Sequence, residues 1–313
     1  MSAGLPKVIV VAGPTASGKS PLGLCLADAL DGVVINADSI QCYRDLPLLT
    51  ARPSAADELT APHRLYGFLD PTEILSANAW AAKAADEIRT VVEAGQQPIL
   101  VGGNGFYLRA LMTGLSDIPA IPAGVRDATR ELAADIGAVA LHEKLAARDP
   151  ATAQRLKPGD TQRIARAWEV LEATGQPLSY WQAQPNKRPI DANYVSILVQ
   201  PEREELYNAC DLRFMMMLEL GALNEVKDLM ARNVPMKAPV MRALGAVDLA
   251  QVASGLMDLP TATERAQAAT RQYAKRQTTW FRNQFRADYR IETKFSESLF
   301  QNIFPEIRHL VLT

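Results

Sequence analysis

VIVVAGPTASGKSPLG, residues 8–23, decides the fold. The apolar run Val8–Val11 leads into Gly13-Pro14-Thr15-Ala16-Ser17-Gly18-Lys19-Ser20, which fits G-x-x-x-x-G-K-[ST]. A helix pattern follows from Pro21 to Leu30, with the proline in the first turn, where a missing N–H costs little. Strand, glycine turn and helix in that order make the string a phosphate cradle rather than a chance match. Successive backbone N–H groups at a helix N-terminus favour an anion. Lys19 adds a mobile charge, and Ser20 offers a hydroxyl to Mg2+. Gly13, Pro14, Thr15, Ala16, Ser17, Gly18, Lys19 and Ser20 are the expected phosphate-binding residues, with Ser20 as the metal ligand.

The chain on either side of the loop repeats a β-α-β pattern. Gly32–Asp38 reads as a second strand ending at an acid. Ala77–Glu93 reads as a helix with Ala81, Ala84, Ala85, Ile88 and Val92 on one face. Gln97–Gly103 is a third strand, followed by a glycine turn and a helix over Tyr107–Met112. Short continuous apolar strands alternating with helices imply a parallel sheet covered by helices. Ligands in such sheets bind beyond the carboxyl ends of the strands, where Gly13–Ser20, Asp38 and Gly102–Gly105 converge.

After IPAIPAG (118–124) the pattern changes. Residues 126–184 read as helices only, broken at Gly137, Asp149-Pro150 and Lys157-Pro158-Gly159. QPNKRPIDAN (184–193) is linker-like, and Tyr194–Val199 restores a strand. The expected organisation is an α/β core in two parts, 1–122 and 191–313, interrupted by a helical insertion domain at 123–190. From Glu202 to Phe285 the chain reads as mostly helical.

Composition narrows the chemistry. The 313 residues are 48% hydrophobic and 22% charged, ordinary for a globular protein. A net charge of -2 makes no whole-protein case for nucleic acid, though a local basic surface is compatible with it. No stretch reaches the ~18 apolar residues of a membrane span. Cys25, Cys42 and Cys210 are far apart, fit no zinc spacing and suit a reduced, cytoplasmic setting. His63, His142 and His309 form no close pair, and G-x-S-x-G, H-E-x-x-H and C-x-x-C are all absent.

A P-loop alone does not specify nucleotide hydrolysis, which ordinarily needs a second strand-end Asp for Mg2+. Here the strand Ile99–Val101 ends in Gly102-Gly103-Asn104. Asp38 is left as a metal-side ligand or as a base acting on an acceptor. Asn104 can hydrogen-bond a phosphate or leaving oxygen. Two basic helices stand out. Gln162, Arg163 and Arg166 lie within one turn; alone, they read as a solvated face. Between Glu264 and Arg290 there are seven basic residues and two acids. Arg271, Lys275 and Arg282 share a face there, with Thr278 between, and Tyr273, Trp280 and Phe281 add aromatic surface. That helix suits an RNA backbone, a cover for the phosphate mouth, or a solvated surface helix.

These segments together resemble the tRNA dimethylallyltransferase, or tRNA isopentenyltransferase, family in its bacterial form. GPTASGKS (13–20) matches its P-loop and NADSIQCY (36–43) its Asp-Ser segment. LTARPS (49–54), PHRLYGFLDP (62–71) and VGGNGFYLRAL (101–111) follow in the family's order. QRIARAWEVLEATGQPLS (162–179) matches its tRNA-contacting helix, and PVMRALG (239–245) and RQYAKRQTTWFR (271–282) complete the series. The resemblance implies a P-loop NTPase-like core. It also implies transfer of a dimethylallyl group from dimethylallyl diphosphate to N6 of adenosine 37, with Mg2+ as cofactor. Asp38 becomes the general base; Asn104 and Lys19 act on the leaving group. The implied contacts to the anticodon stem-loop are Asp38, Ser39, Ile40, Gln41, Asn104, Arg126, Gln162, Arg163, Ile164, Ala165 and Arg166. This chain has Asn104 where the family commonly has threonine and Phe106 where leucine is usual. It also lacks the arginine usual after Leu206-Tyr207. A cytoplasmic monomer is expected. The alternatives are a P-loop small-molecule kinase using ATP, and a non-catalytic RNA-binding module, which would need neither Asp38 nor Lys19.

Overall fold

The computed structural model describes residues 4–312. The chain divides into two compact units: residues up to Met112 with those from Pro189 onward, and Thr113–Arg188.

The first unit is built on a sheet of six strands: β1 (Lys7–Ala12), β2 (Gly32–Asn36), β3 (His63–Arg64), β4 (Gln97–Gly102), β5 (Asn193–Val199) and β6 (Tyr289–Ile291). Their order is β3-β2-β4-β1-β5-β6, and every pairing is parallel. Central β1 aligns Ile9 with Ile99 on one side and Val195 on the other. Val8–Ala12 and Ile197–Val199 have no exposed surface, as expected for strands covered on both faces.

Helices α1 (Lys19–Ala29), α2 (Ala55–Thr60), α3 (Ala77–Glu93) and α4 (Gly105–Met112) belong to the first half of this unit. Ser76 starts α3 by accepting a hydrogen bond from Ala79 N–H. Its inner face carries Trp80, Ala81, Ala84, Ala85, Ile88 and Val91; Val92, expected to be buried, is exposed instead. At 3.6 residues per turn both Val91 and Val92 fall within the stripe, and in this last turn only Val91 is covered. Fully buried Trp80 stacks on Tyr107 of α4 at 4.4 Å between ring centroids, which locks the helix after the second glycine turn onto α3.

The second unit contains α5 (Ala123–Arg148), α6 (Pro150–Ala153), α7 (Thr161–Thr174) and α8 (Leu178–Ala183). α5 is kinked at Gly137, which adopts φ 80°, and Asp149 and Asp160 cap α6 and α7. Leu141, Leu145, Ala153, Ile164 and Ala167 form its own core. An antiparallel bridge between Leu115 and Lys187 joins the two ends of this unit, so it is an insertion with adjacent entry and exit. It runs from Thr113 to Arg188, against the 123–190 expected from sequence.

Back in the first unit come α9 (Arg203–Glu219), α10 (Ala222–Ala231), a 3-10 turn at Pro239–Arg242, α11 (Ala246–Ala253), α12 (Leu259–Gln284) and α13 (Glu297–Leu312). Asp258 caps α12, and Ile303, Ile307 and Val311 of α13 pack onto the sheet. Among the described residues, no helix is long and apolar enough to cross a membrane.

Candidate active site

The phosphate loop lies between β1 and α1. Gly18 takes φ 94°, a conformation other side chains resist, and a Cβ there would fall 2.8 Å from Phe295 Cβ. Ser17 N–H donates to Pro14 O at 3.3 Å, closing the turn. Lys19 Nζ reaches back over it to Pro14 O at 3.2 Å. Loss of water around the ammonium lowers its pKa to about 8; the Asp38 charge acts in the opposite direction, and Arg213 adds to the lowering.

Two residues that the sequence reading did not assign complete the loop. Arg213 of α9 donates from its guanidinium to Thr15 Oγ1. Gln277, buried in α12, accepts Thr15 N–H on Oε1 at 2.8 Å and donates Nε2 to Gly103 O at 2.8 Å. One amide thus ties the phosphate loop to the second glycine turn. Its signal was a long amide side chain on the buried stripe of small and apolar residues Ala266, Thr270, Ala274 and Phe281. Arg213 sits in the stretch LYNACDLRFMMML, next to buried Phe214, with no spacing pattern to single it out.

Asp38 follows β2, which stops at Asn36 rather than at Asp38. The reason is Asn36 itself, fully buried: Oδ1 accepts Asp38 N–H at 2.8 Å, while Nδ2 donates to Asp38 O and Leu65 O. Trp80 Nε1 donates to Asn36 O. The strand end is therefore a polar hub that fixes the acid. Asp38 Oδ1 in turn accepts Ile40 N–H at 3.0 Å. Asn104 caps α4, its Oδ1 accepting the N–H groups of Phe106 (3.1 Å) and Tyr107 (3.2 Å). The cap engages the amide oxygen and leaves Nδ2 as the donating group. Gly102 allows these two segments to touch: a Cβ there would lie 2.1 Å from Ala37 O.

Thr15, Asp38 and Arg213 face one cavity of about 340 Å3. Ser39, Ile40, Arg242, Tyr273 and Arg276 also line it, with Leu49, Phe214, Met217 and Leu244 supplying apolar walls. The lining thus combines arginines, a carboxylate and apolar side chains that suit a small hydrocarbon group. Ser20 is exposed in the first turn of α1, directly after Lys19. No cluster of three His, Cys, Asp or Glu residues occurs among the described residues. A cation here fits if phosphate oxygens and water supply most of its ligands, as Mg2+ prefers.

Arg276 of α12 lines the cavity, whereas Arg271 pairs with Asp211 at 2.5 Å and Arg265 with Asp248 at 3.1 Å. Part of the basic excess read from this stretch is therefore neutralised within the fold. In the insertion, Gln162, Arg163 and Arg166 are exposed on α7; the arginines pair with Asp160 and Glu169 one turn away. Ile164 is different. It has no exposed surface and belongs to the insertion's core, so its side chain is a packing residue and not an RNA contact. Ala165 is half-buried, and Arg126 is exposed near the start of α5. Gln41, expected to meet RNA, turns Nε2 to Thr50 O and Ala51 O, at 2.9 and 2.7 Å.

The chain is similar to known proteins over nearly its whole length. Residues 41–284 match the family model described as IPP transferase. A tRNA dimethylallyltransferase of Paramagnetospirillum magneticum is 49% identical over 305 residues, 97% of each chain. One from Rhodospirillum rubrum is 47% identical over 317 residues, covering 100% of this chain and 97% of its own. Among solved structures, the tRNA isopentenylpyrophosphate transferase of Bacillus halodurans superposes with a TM-score of 0.68 at 30% identity, covering 98% of this chain and 96% of its own. A eukaryotic dimethylallyltransferase acting on tRNA reaches 0.79 at 26% identity, covering 96% and 80% respectively. A phosphate loop and a strand-end aspartate facing one cavity, with these relatives spanning the whole chain, lead to one assignment: the chain belongs to the IPP transferase family of tRNA dimethylallyltransferases.

Proposed function

We propose that this protein transfers a dimethylallyl group from dimethylallyl diphosphate to N6 of adenosine 37 in the anticodon loop of tRNA, releasing diphosphate. The observation that carries this reading is the shared cavity, lined by Thr15 of the phosphate loop, Arg213 and Asp38. The N6 lone pair attacks C1 of the allyl group, the C1–O bond breaks, and its electron pair leaves with the diphosphate. The loop amides, Lys19 and Arg213 stabilise that growing charge, and Asn104 Nδ2 donates to the leaving oxygen. Asp38 accepts the proton lost from N6. Mg2+, held by Ser20 and diphosphate oxygens, would neutralise charge on the leaving group. The target base must leave its stack, at a cost of a few kcal/mol offset by contacts to the loop backbone. The exposed side chains Arg126, Gln162, Arg163 and Arg166 supply part of that grip.

The test is transfer of label from dimethylallyl diphosphate to unmodified tRNA, run beside a reaction with labelled ATP and no RNA. Label on RNA is expected. ATP turnover with none on RNA would favour a small-molecule kinase instead. Asp38→Ala should lower kcat by about 10²- to 10⁴-fold with tRNA affinity nearly intact. Unchanged turnover would reject Asp38 as the base.

A further inference from the structure

Part of the cavity wall comes from a short segment, Leu46–Arg52, which contributes Leu49 and Thr50 to the lining. Two of its residues, Leu46 (φ 60°) and Ala51 (φ 53°), hold left-handed conformations without being glycine, so the segment needs outside support. Gln41 supports it from one side by donating to Thr50 O and Ala51 O. From the other side comes Glu225, in the first turn of α10. Its Oε1 accepts Leu48 N–H at 2.8 Å, and its Oε2 accepts Leu49 N–H at 3.1 Å. Arg232 at the far end of α10 pairs with Asp45 just before the segment. Glu225 does not line the cavity itself.

We propose that Glu225 is a positioning residue: it fixes the Leu49–Thr50 wall, and that wall limits the size of the allylic group admitted. This rests on the reading of the cavity as the site for an allylic diphosphate. The chemistry of the hold is specific to a carboxylate. Two backbone N–H groups converge on one side chain, and both carboxylate oxygens can accept. A glutamine can accept only one and turns its NH2 against the other. An aspartate is one methylene too short for the same reach. Asp38 Oδ1 holds Ile40 N–H, and Gln41, the next residue, holds the same segment, so the acid and the wall are tied to one short stretch of backbone.

The experiment measures kcat and KM with dimethylallyl diphosphate and with geranyl diphosphate, which carries one more five-carbon unit, on unmodified tRNA. Glu225→Gln should raise KM for dimethylallyl diphosphate about tenfold, with kcat held within about threefold. It should raise the ratio of kcat/KM for geranyl over dimethylallyl diphosphate by about tenfold or more, and Leu49→Ala should reproduce the raised ratio. A ratio unchanged in both variants overturns the proposal. So does a Glu225→Gln enzyme whose kcat falls while KM and the ratio stay put. If Glu225→Gln does not fold, the ratio in Leu49→Ala decides alone. Failure of the wild-type protein to use either diphosphate sinks the donor reading itself, and is told apart by that control.

Discussion

Replacing Gln277 with methionine tests how the two glycine turns are held together. Methionine nearly conserves volume, so the change leaves little cavity and acts on the hydrogen bonds. Gln277 is 6% exposed, and water cannot readily take its place. Gln277→Met orphans Thr15 N–H and Gly103 O, which it holds at 2.8 Å each. Gly103 O is buried, and a buried unsatisfied group costs about 1–3 kcal/mol, while Thr15 N–H is half-buried at the cavity and adds little. For a unit of this size that corresponds to a fall in Tm of roughly 2–12 °C. Gln277→Glu separates the two halves of the amide. It keeps the acceptor for Thr15 N–H, loses the donor to Gly103 O, and sets negative charge beside the phosphate loop. KM for dimethylallyl diphosphate should therefore rise more in Gln277→Glu than in Gln277→Met. Thermal melts monitored by circular dichroism and initial-rate kinetics supply both numbers. A Gln277→Met melt within about 1 °C of wild type would refute the strut, because an orphaned buried carbonyl cannot cost so little.

Lys19 predicts a pH dependence. With its pKa lowered to about 8, the free enzyme loses the ammonium above that pH, so kcat/KM should fall on the alkaline side of pH 8. Bound diphosphate favours the charged form, so the matching limb in kcat should lie higher, and Lys19→Met should lack both limbs. Between pH 8 and 10.5 the unfolded chain binds more protons at this site than the folded one. Stability of the ligand-free protein should accordingly gain from Lys19 as pH rises through that window, and urea titrations of wild type and Lys19→Met measure the difference. Arg163→Ala should weaken tRNA binding and reduce the salt slope of log K by about 1, with an unchanged melt; an unchanged slope means no phosphate contact. Ile164→Ala, one residue away, should destabilise the insertion by about 2–5 kcal/mol in chemical denaturation, with the salt slope kept.

Much of the core was legible because its signals are local. The strand–loop–helix at residues 7–29, helix α3 and the buried strands β4 and β5 follow from apolar runs, glycines and a proline, all within a few residues of each other. The two-residue β3 and three-residue β6 carry no period of their own and exist because a neighbouring strand offers them an edge. In the site, Asp38 and Lys19 were legible from motif spacing. Arg213 and Gln277 were not, since each acts on Thr15 from about two hundred or more residues away, and the sequence carries no mark of that pairing. Ile164 shows the opposite limit: a motif match brought in a whole helical turn, but one side of any amphipathic turn faces the core.

The bond between Thr15 and Gln277 spans 262 residues of chain. At about 5–20 residues per second, a ribosome takes roughly 13–50 s to deliver the second partner after the first. During that interval the nascent phosphate loop lacks both its strut and, for most of the time, Arg213. The insertion, with its exposed Arg126, Arg163 and Arg166, emerges complete meanwhile. A growing chain can thus expose these arginines before its phosphate loop is braced, and the loop reaches its final form only near the end of synthesis.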